Sequence, residues 1–298
     1  MGSHPPVLPP YGQNSAPDAS DAVPEILPPD GGYGPPDGGF APPQPARRRP
    51  LWAAAPATYL LVGINCAVFL AMVARGISPL NPTVDQLMNW GANNAGNVLL
   101  GHQWIRILTA MFLHVGILHL ATNMWCLWNL GLLAEPLMGS FGLLAVYILT
   151  GAAGNLLSTF VNWWKFHDMN IFPAGAGASG AVFGIAGALI VLLKSKRLPV
   201  PPLELTRLRK SVIYFAAINL VIGFSISFGT DYLGKGLNID NMAHLGGFSC
   251  GLLFAAPLVP RIGSSRSTFD LRLRVAVAAI LGLLVLFGFF LAQLPPQG

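Results

Sequence analysis

Apolar residues fall along this chain in long blocks, separated by short stretches that are polar, basic or rich in glycine and proline. Seven of the blocks approach the ~20 residues that a helix needs to cross the hydrocarbon core of a bilayer. They lie near residues 56–74, 114–133, 141–162, 177–193, 211–228, 240–259 and 273–292. The second and fourth carry polar or glycine residues that blur their ends. The pattern predicts an all-α fold, a polytopic bundle of transmembrane helices. Before the first block, residues 1 to 46 have no such pattern. This stretch is rich in Pro and Gly, with "GGYGPPDGGFAPPQP" as its densest part. It carries Asp18, Asp21, Glu25, Asp30 and Asp37 but no Lys or Arg. So little apolar surface cannot offset the entropy of ordering, and a disordered tail is expected. It has no apolar core like that of a cleavable signal peptide, and its lack of basic residues argues against a transit peptide. An inert solubilising arm is the simplest role for it, ahead of a Pro-rich ligand for a partner domain.

Composition supports the membrane reading. Hydrophobic residues make up 53% of the chain, charged residues 10%, and the mean hydropathy is +0.57. Soluble domains carry about 25% charged residues. The few basic residues orient the bundle. With the N-terminus inside, the outer segments hold only Arg75, Arg106, Lys165 and Lys235 of the 17 Lys and Arg, which leaves 13 inside. This predicts a multi-pass protein of a plasma or inner membrane, with its N-terminus cytoplasmic and, after seven spans, its C-terminus outside. Cys66, Cys126 and Cys250 all lie in apolar blocks and read as small buried hydrophobes, not a disulfide framework or a zinc site. The long outer connection from Arg75 to about Leu113 mixes apolar and polar residues. Loops of that length usually have a function or structure of their own. Trp90, Leu99, Leu100, Trp104, Ile105, Leu108, Met111 and Phe112 suggest helical pieces in the outer interface, and a plain amphipathic connector explains them as well as a functional role does.

Polar residues inside the blocks carry the chemistry, because they are costly there and usually have partners. The second block contains His119 and Asn123, four apart and on one helical face. His114 is rotated away from that face. The fourth contains Ser179 in a run of Gly and Ala, and the sixth contains His244. These three blocks all run from outside to inside. At about 1.5 Å per residue, the four side chains fall roughly 3 to 14 Å below the outer ends. Together they suffice for acyl transfer. A Ser hydroxyl needs a base, and a neutral His supplies one. The Ser179 backbone N–H, the His119 ring and the Asn123 amide can serve as donors to an oxyanion. Gly180, Gly184 and Gly187 on one helix and Gly247 and Gly251 on the other allow close approach, and His244 shares a face with Gly247.

Each of these residues also has a plainer reading. Ser179 can be a polar filler in a packing surface, His244 an interhelical hydrogen-bond donor, and His119 with Asn123 a structural pair. Asp240, four before His244, could orient it, but more often such a residue caps the helix. His114, His119 and His244 make a poor metal set, because no Glu accompanies them in an H-E-x-x-H arrangement.

Three segments, "RILTAMFLHVGILHLATNMWCLWNLG" from Arg106, "GAGASGAVFG" from Gly175 and "AHLGG" from Ala243, occur in an order that resembles the rhomboid intramembrane serine proteases. The likeness covers about residues 55 to 260. It implies a Ser179–His244 dyad without an essential third acid, and an oxyanion hole with His119 and Asn123. It also places Gly177 in the G-x-S-G nucleophile motif and makes the Arg106 loop the half-embedded first loop. Phe183 matches an aromatic position that stacks near the catalytic His, although ordinary packing would explain it as well. One departure is Ile105 directly before Arg106, where the family often has Trp; here Trp104 is one position earlier. The implied layout is a tail over 1–50, a six-helix catalytic domain over 51–260, and a basic linker with a seventh helix over 261–298. The expected activity is endoproteolysis of transmembrane segments, with no cofactor or metal. The expected partners are membrane-protein substrates and the bilayer, with no nucleic acid. A silent relative that chaperones or retrotranslocates helices is the alternative, and the intact Ser179 and His244 argue against it. A solute transporter finds no support in an internal repeat or an intramembrane acid chain.

Overall fold

Helix α1 (Pro56–Ala74) starts on a proline, whose missing N–H has no helical partner in the first turn anyway. The next donors are satisfied from far along the chain. The buried carboxylate of Glu135 accepts from the N–H of Ala57 at 2.9 Å, the N–H of Thr58 at 2.8 Å and the Thr58 hydroxyl at 2.7 Å. Ser140 donates to it as well, at 2.6 Å. The structure, a computed structural model, describes residues 55–166, 172–195, 198, 201–233, 240–259 and 265–294; at 220 and 222–233 it describes the backbone alone. The predicted tail, Lys196, Arg197, Lys235 and Arg261 lie outside the described residues.

The connection after α1 folds into short helical pieces, as its apolar residues suggest. These are α2 (Val84–Asn89), α3 (Ala95–Leu99), α4 (Arg106–Thr109) and a 3₁₀ turn (Ala110–Phe112). Thr83 and Gln86 form a reciprocal capping box on α2, and Asn94 caps α3. Arg106 pins the connection together. Its Nη1 donates to the carbonyls of Met88 at 2.7 Å and Ala92 at 2.9 Å, and its Nε donates to Gln103. Ile105 is exposed, whereas Trp104 is half-buried and lines an apolar cleft against the last helix.

Helix α5 (Ile117–Phe166) holds the second and third blocks as two arms. They break at Gly139, whose φ of +75° suits glycine, three residues after Pro136. Then come α6 (Ser179–Leu192), α7 (Pro202–Leu233), α8 (Asn241–Ala255) and α9 (Arg266–Ala292). Among the described residues, the helices containing Pro56–Ala74, Ile117–Lys165 and Arg266–Ala292 are long and apolar enough to cross a membrane. Helix α6 is apolar but has only 14 residues. That is about 21 Å, well short of a ~30 Å core. The expected span 177–193 is therefore too long at its N-terminal end, and Ser179 is the first residue of the helix instead of the third. Likewise the second block begins as a helix at Ile117, so His114 precedes it. Helix α7 is longer than its predicted block, beginning at Pro202.

The bundle is built around α6. Every residue from Gly180 to Leu189 is buried, and the helix packs mainly on α8 and α5. One apolar core joins α1, α5, α6, α8 and α9. Large apolar side chains remain on the outside, including Leu118, Trp125 and Trp128 on α5 and Leu283, Leu286 and Phe289 on α9. Such patches mark a surface made for a partner or a membrane.

Candidate active site

The approach to Ser179 is fixed before α6 begins. Gly175 pairs with Asn93 in a two-way backbone bridge, each N–H···O at 2.8 Å. Two residues later the N–H of Gly177 donates to the carbonyl of Ala110 at 3.0 Å. Gly177 has φ +147°, and a Cβ there would lie 2.8 Å from Cε1 of His119 and 3.6 Å from the Ser179 hydroxyl. Only a glycine lets the imidazole come so close to this backbone. Ser179 follows as the first residue of α6, where no side chain caps the helix. The N–H groups of this first turn have no partner within the helix.

Helix α8 brings His244. Asp240 caps the helix by accepting from the N–H of Ala243 at 2.9 Å, and the N–H of His244 donates to the Asp240 carbonyl at 3.2 Å. His244 is buried, and its Nε2 lies 2.8 Å from Oγ of Ser179. Phe183, one turn after Ser179, stacks on the imidazole with centroids 4.4 Å apart and planes 15° apart. Among the described residues, Nδ1 of His244 has no hydrogen-bond partner. Asp240 is thus a cap and does not bond the imidazole.

Helices α6 and α8 meet backbone to backbone. A Cβ on Gly247 would run into the carbonyl of Gly180, and one on Gly251 into that of Gly184. A Cβ on Gly187 would strike the carbonyl of Phe248. Gly184 differs from expectation in part. Its missing side chain makes room for Thr150 of α5, and only its carbonyl faces α8.

On the first arm of α5, Nδ1 of His119 accepts from the N–H of Val115 at 3.4 Å, so Nε2 is the free ring nitrogen. A Cβ on Gly177 would lie 3.2 Å from that Nε2. Asn123 is buried and donates through Nδ2 to the carbonyl of His119 at 2.9 Å. An amide has two N–H donors, so one remains. His114 is wholly buried beside His119, with ring centroids 5.4 Å apart. Among the described residues, no group of three or more His, Cys, Asp or Glu is placed to hold a metal ion. The three cysteines are free thiols.

The family model of the Rhomboid domain matches residues 101–261. The chain belongs to the rhomboid family. It is 34% identical over 224 residues to the rhomboid protease GluP of Bacillus subtilis (strain 168), covering 75% of this chain and 38% of that one. It is 31% identical over 211 residues to the rhomboid protease AarA of Providencia stuartii, covering 68% of this chain and 72% of that one. A third relative, Rhomboid-like protease 2 of Toxoplasma gondii, is 31% identical over 196 residues, covering 65% and 61%. The chain thus spans well under half of the first of these relatives and about two thirds of the other two. As a rhomboid with several long apolar helices, it is an integral, multi-pass membrane protein.

This rhomboid also buries polar groups that the sequence reading passed over. Asn65 of α1 donates to the hydroxyl of Tyr147 at 2.9 Å, and that hydroxyl donates to the Met111 carbonyl at 3.2 Å. Asn93 donates to the Asn155 carbonyl and accepts from Thr159, both at 3.1 Å, while Asn155 donates to the Ile107 carbonyl at 2.8 Å. Asn65 and Asn155 carry a signal in the sequence, since a polar residue inside an apolar block is costly and needs a partner, whereas Asn93 lies in the connection after α1 and carries none.

Proposed function

We propose that this rhomboid is an intramembrane serine endopeptidase working through a Ser179–His244 dyad. The observation that carries the reading is the 2.8 Å separation of Ser179 Oγ and His244 Nε2, contributed by two helices in glycine contact. In the reaction, Nε2 takes the hydroxyl proton as Oγ attacks the scissile carbonyl carbon. The C–N bond then breaks, and His244 returns the proton to the leaving nitrogen. Water repeats the sequence on the acyl-enzyme, releasing the acid and restoring the hydroxyl. Phe183 keeps the imidazole plane in place meanwhile. The developing oxyanion meets the open N–H groups at the start of α6, Nε2 of His119 and the remaining N–H of Asn123.

The substrates are transmembrane segments of other membrane proteins. A helical peptide bond is shielded by its own turn, so the segment must unwind to reach Ser179. Helices with Gly near the outer interface unwind most easily. The short α6 suits this, because a helix anchored at the inner side ends below the outer surface and leaves Ser179 within the membrane's depth. The basic residues favour a cytoplasmic N-terminus, an external C-terminus and a plasma or inner membrane. The tail (1–50), catalytic domain (51–260) and linker with seventh helix (261–298) are proposed as separate functional parts.

A fluorophosphonate probe tests the dyad on detergent-purified protein. The parent should be labelled, and Ser179→Ala should not. A parent that resists labelling under conditions that preserve its fold would favour the silent, helix-binding alternative.

A further inference from the structure

We propose that the Asp240–Ser158 hydrogen bond is a clasp that holds His244 in register with Ser179, which makes Asp240 and Ser158 positioning residues. The inference rests on the dyad reading and goes beyond it. Asp240 uses both carboxyl oxygens. Oδ1 caps α8 through the N–H of Ala243 at 2.9 Å, and Oδ2 accepts from the hydroxyl of Ser158 on the second arm of α5. Asn162 donates to the same Ser158 oxygen at 3.1 Å, which leaves the hydroxyl proton for Asp240. Ser158 is wholly buried, so this bond is shielded from competing solvent.

The other half of the dyad converges on the same place. A Cβ on Gly175 would lie 3.0 Å from Oδ2 of Asp240. Gly175 is bridged to Asn93, and Asn93 is held by Asn155 and Thr159 of the same α5 arm. Residues 155, 158, 159 and 162 share one helical face. That face therefore anchors the chain four residues before Ser179 and four residues before His244. An anchor is needed. The α6–α8 contact rests largely on glycines facing backbone carbonyls, which brings the helices close, and beside it the Phe183–His244 stack is a flat face that resists sliding along the axis less than a hydrogen bond does. A slip of about 1 Å in a reacting pair can cost about 10²-fold in rate.

The test measures kcat and KM on a transmembrane substrate, and the rate constant and affinity of fluorophosphonate labelling at Ser179. Ser158→Ala and Asp240→Ala should each lower kcat and the labelling rate constant about 10–10²-fold, with KM and probe affinity unchanged. The double variant should be no worse than the worse single one, because both remove the same bond. Asp240→Asn should recover to within a few-fold of the parent. Its Oδ1 still caps Ala243, and its Nδ2 can donate to the Ser158 oxygen. Parent-like rates in both alanine variants would overturn the clasp, even if thermal stability falls, and so would additive losses in the double variant. Asp240→Asn as impaired as Asp240→Ala, beside a parent-like Ser158→Ala, would also overturn it. Should Asp240→Ala not fold, Ser158→Ala and Asp240→Asn decide alone, since each changes a single polar group. An unlabelled parent would instead remove the dyad reading itself, an outcome distinct from a labelled parent with indifferent variants.

Discussion

A serine hydroxyl is a weak nucleophile until a base stands beside it. In the proposed dyad that base is His244, whose Nε2 lies 2.8 Å from Oγ of Ser179. The proposed oxyanion donors are less evenly prepared. The free Nε2 of His119 lies close to the Gly177 backbone, whereas Asn123 spends one N–H on its own helix. Asn123→Ala should therefore lower turnover without abolishing it. Loss of one donor costs on the order of 10²–10³-fold in soluble enzymes, and the remaining donors here place this variant at or below the lower end. His119→Ala should cost more. Unchanged kcat in both variants would make this face structural only. The closeness of Ser179 and His244 was legible from the similar depth of the two residues in their blocks and from the family resemblance, since each residue alone also had a plainer reading. Phe183 was legible only as one of two readings, since a stack and a packing contact leave the same mark in a sequence. The Asn93, Asn155 and Ser158 network is not legible as a network, because its partners are backbone carbonyls, neighbouring polar side chains and one carboxylate that no spacing rule connects.

At the scale of helices, block positions were legible and block ends were not. Apolar pattern locates a helix, but its first turn is set by caps and tertiary contacts, as the start of α6 at Ser179 illustrates. The glycines of α6 and α8 were legible as a close interface, and the direction of Gly184 toward Thr150 was not. Gly247→Val should force the carbonyl of Gly180 away, separating Ser179 from His244. Most activity and most fluorophosphonate labelling should be lost with both dyad residues intact. Gly282→Val is the control, because nothing lies within 4 Å of a Cβ there. Equal activity in parent and Gly247→Val would refute the close contact as the source of the geometry. Glu135 belongs to this scale too. It was not singled out, since only the fold brings it to the start of α1. Its carboxylate accepts from three donors at that start and from Ser140 on its own helix, and each buried donor left unsatisfied costs about 1–3 kcal/mol. Glu135→Ala should thus lower stability by about 3 kcal/mol or more, read as a reduced Tm in detergent. A Tm equal to the parent's would show that water replaces the carboxylate without cost.

For the whole molecule, the claim is a bundle inserted with one orientation that cuts within the membrane. Thirteen of the 17 Lys and Arg belong to the inner segments of the proposed topology, against Arg75, Arg106, Lys165 and Lys235 outside. Single cysteines placed near residues 78 and 297 of a cysteine-free variant should react with a membrane-impermeant maleimide on intact cells. One near residue 200 should react only after lysis. The reverse pattern would invert the topology and put Ser179 at the inner side. The central claim is tested most directly by cleavage in liposomes containing the purified protein and a single-span substrate with glycines near its outer end. The parent should cut that substrate inside its transmembrane segment, with and without EDTA. Ser179→Ala and His244→Ala, folded and inserted like the parent, should yield no product. Parent-like cleavage by Ser179→Ala, or activity lost to EDTA and restored by zinc, would contradict the account.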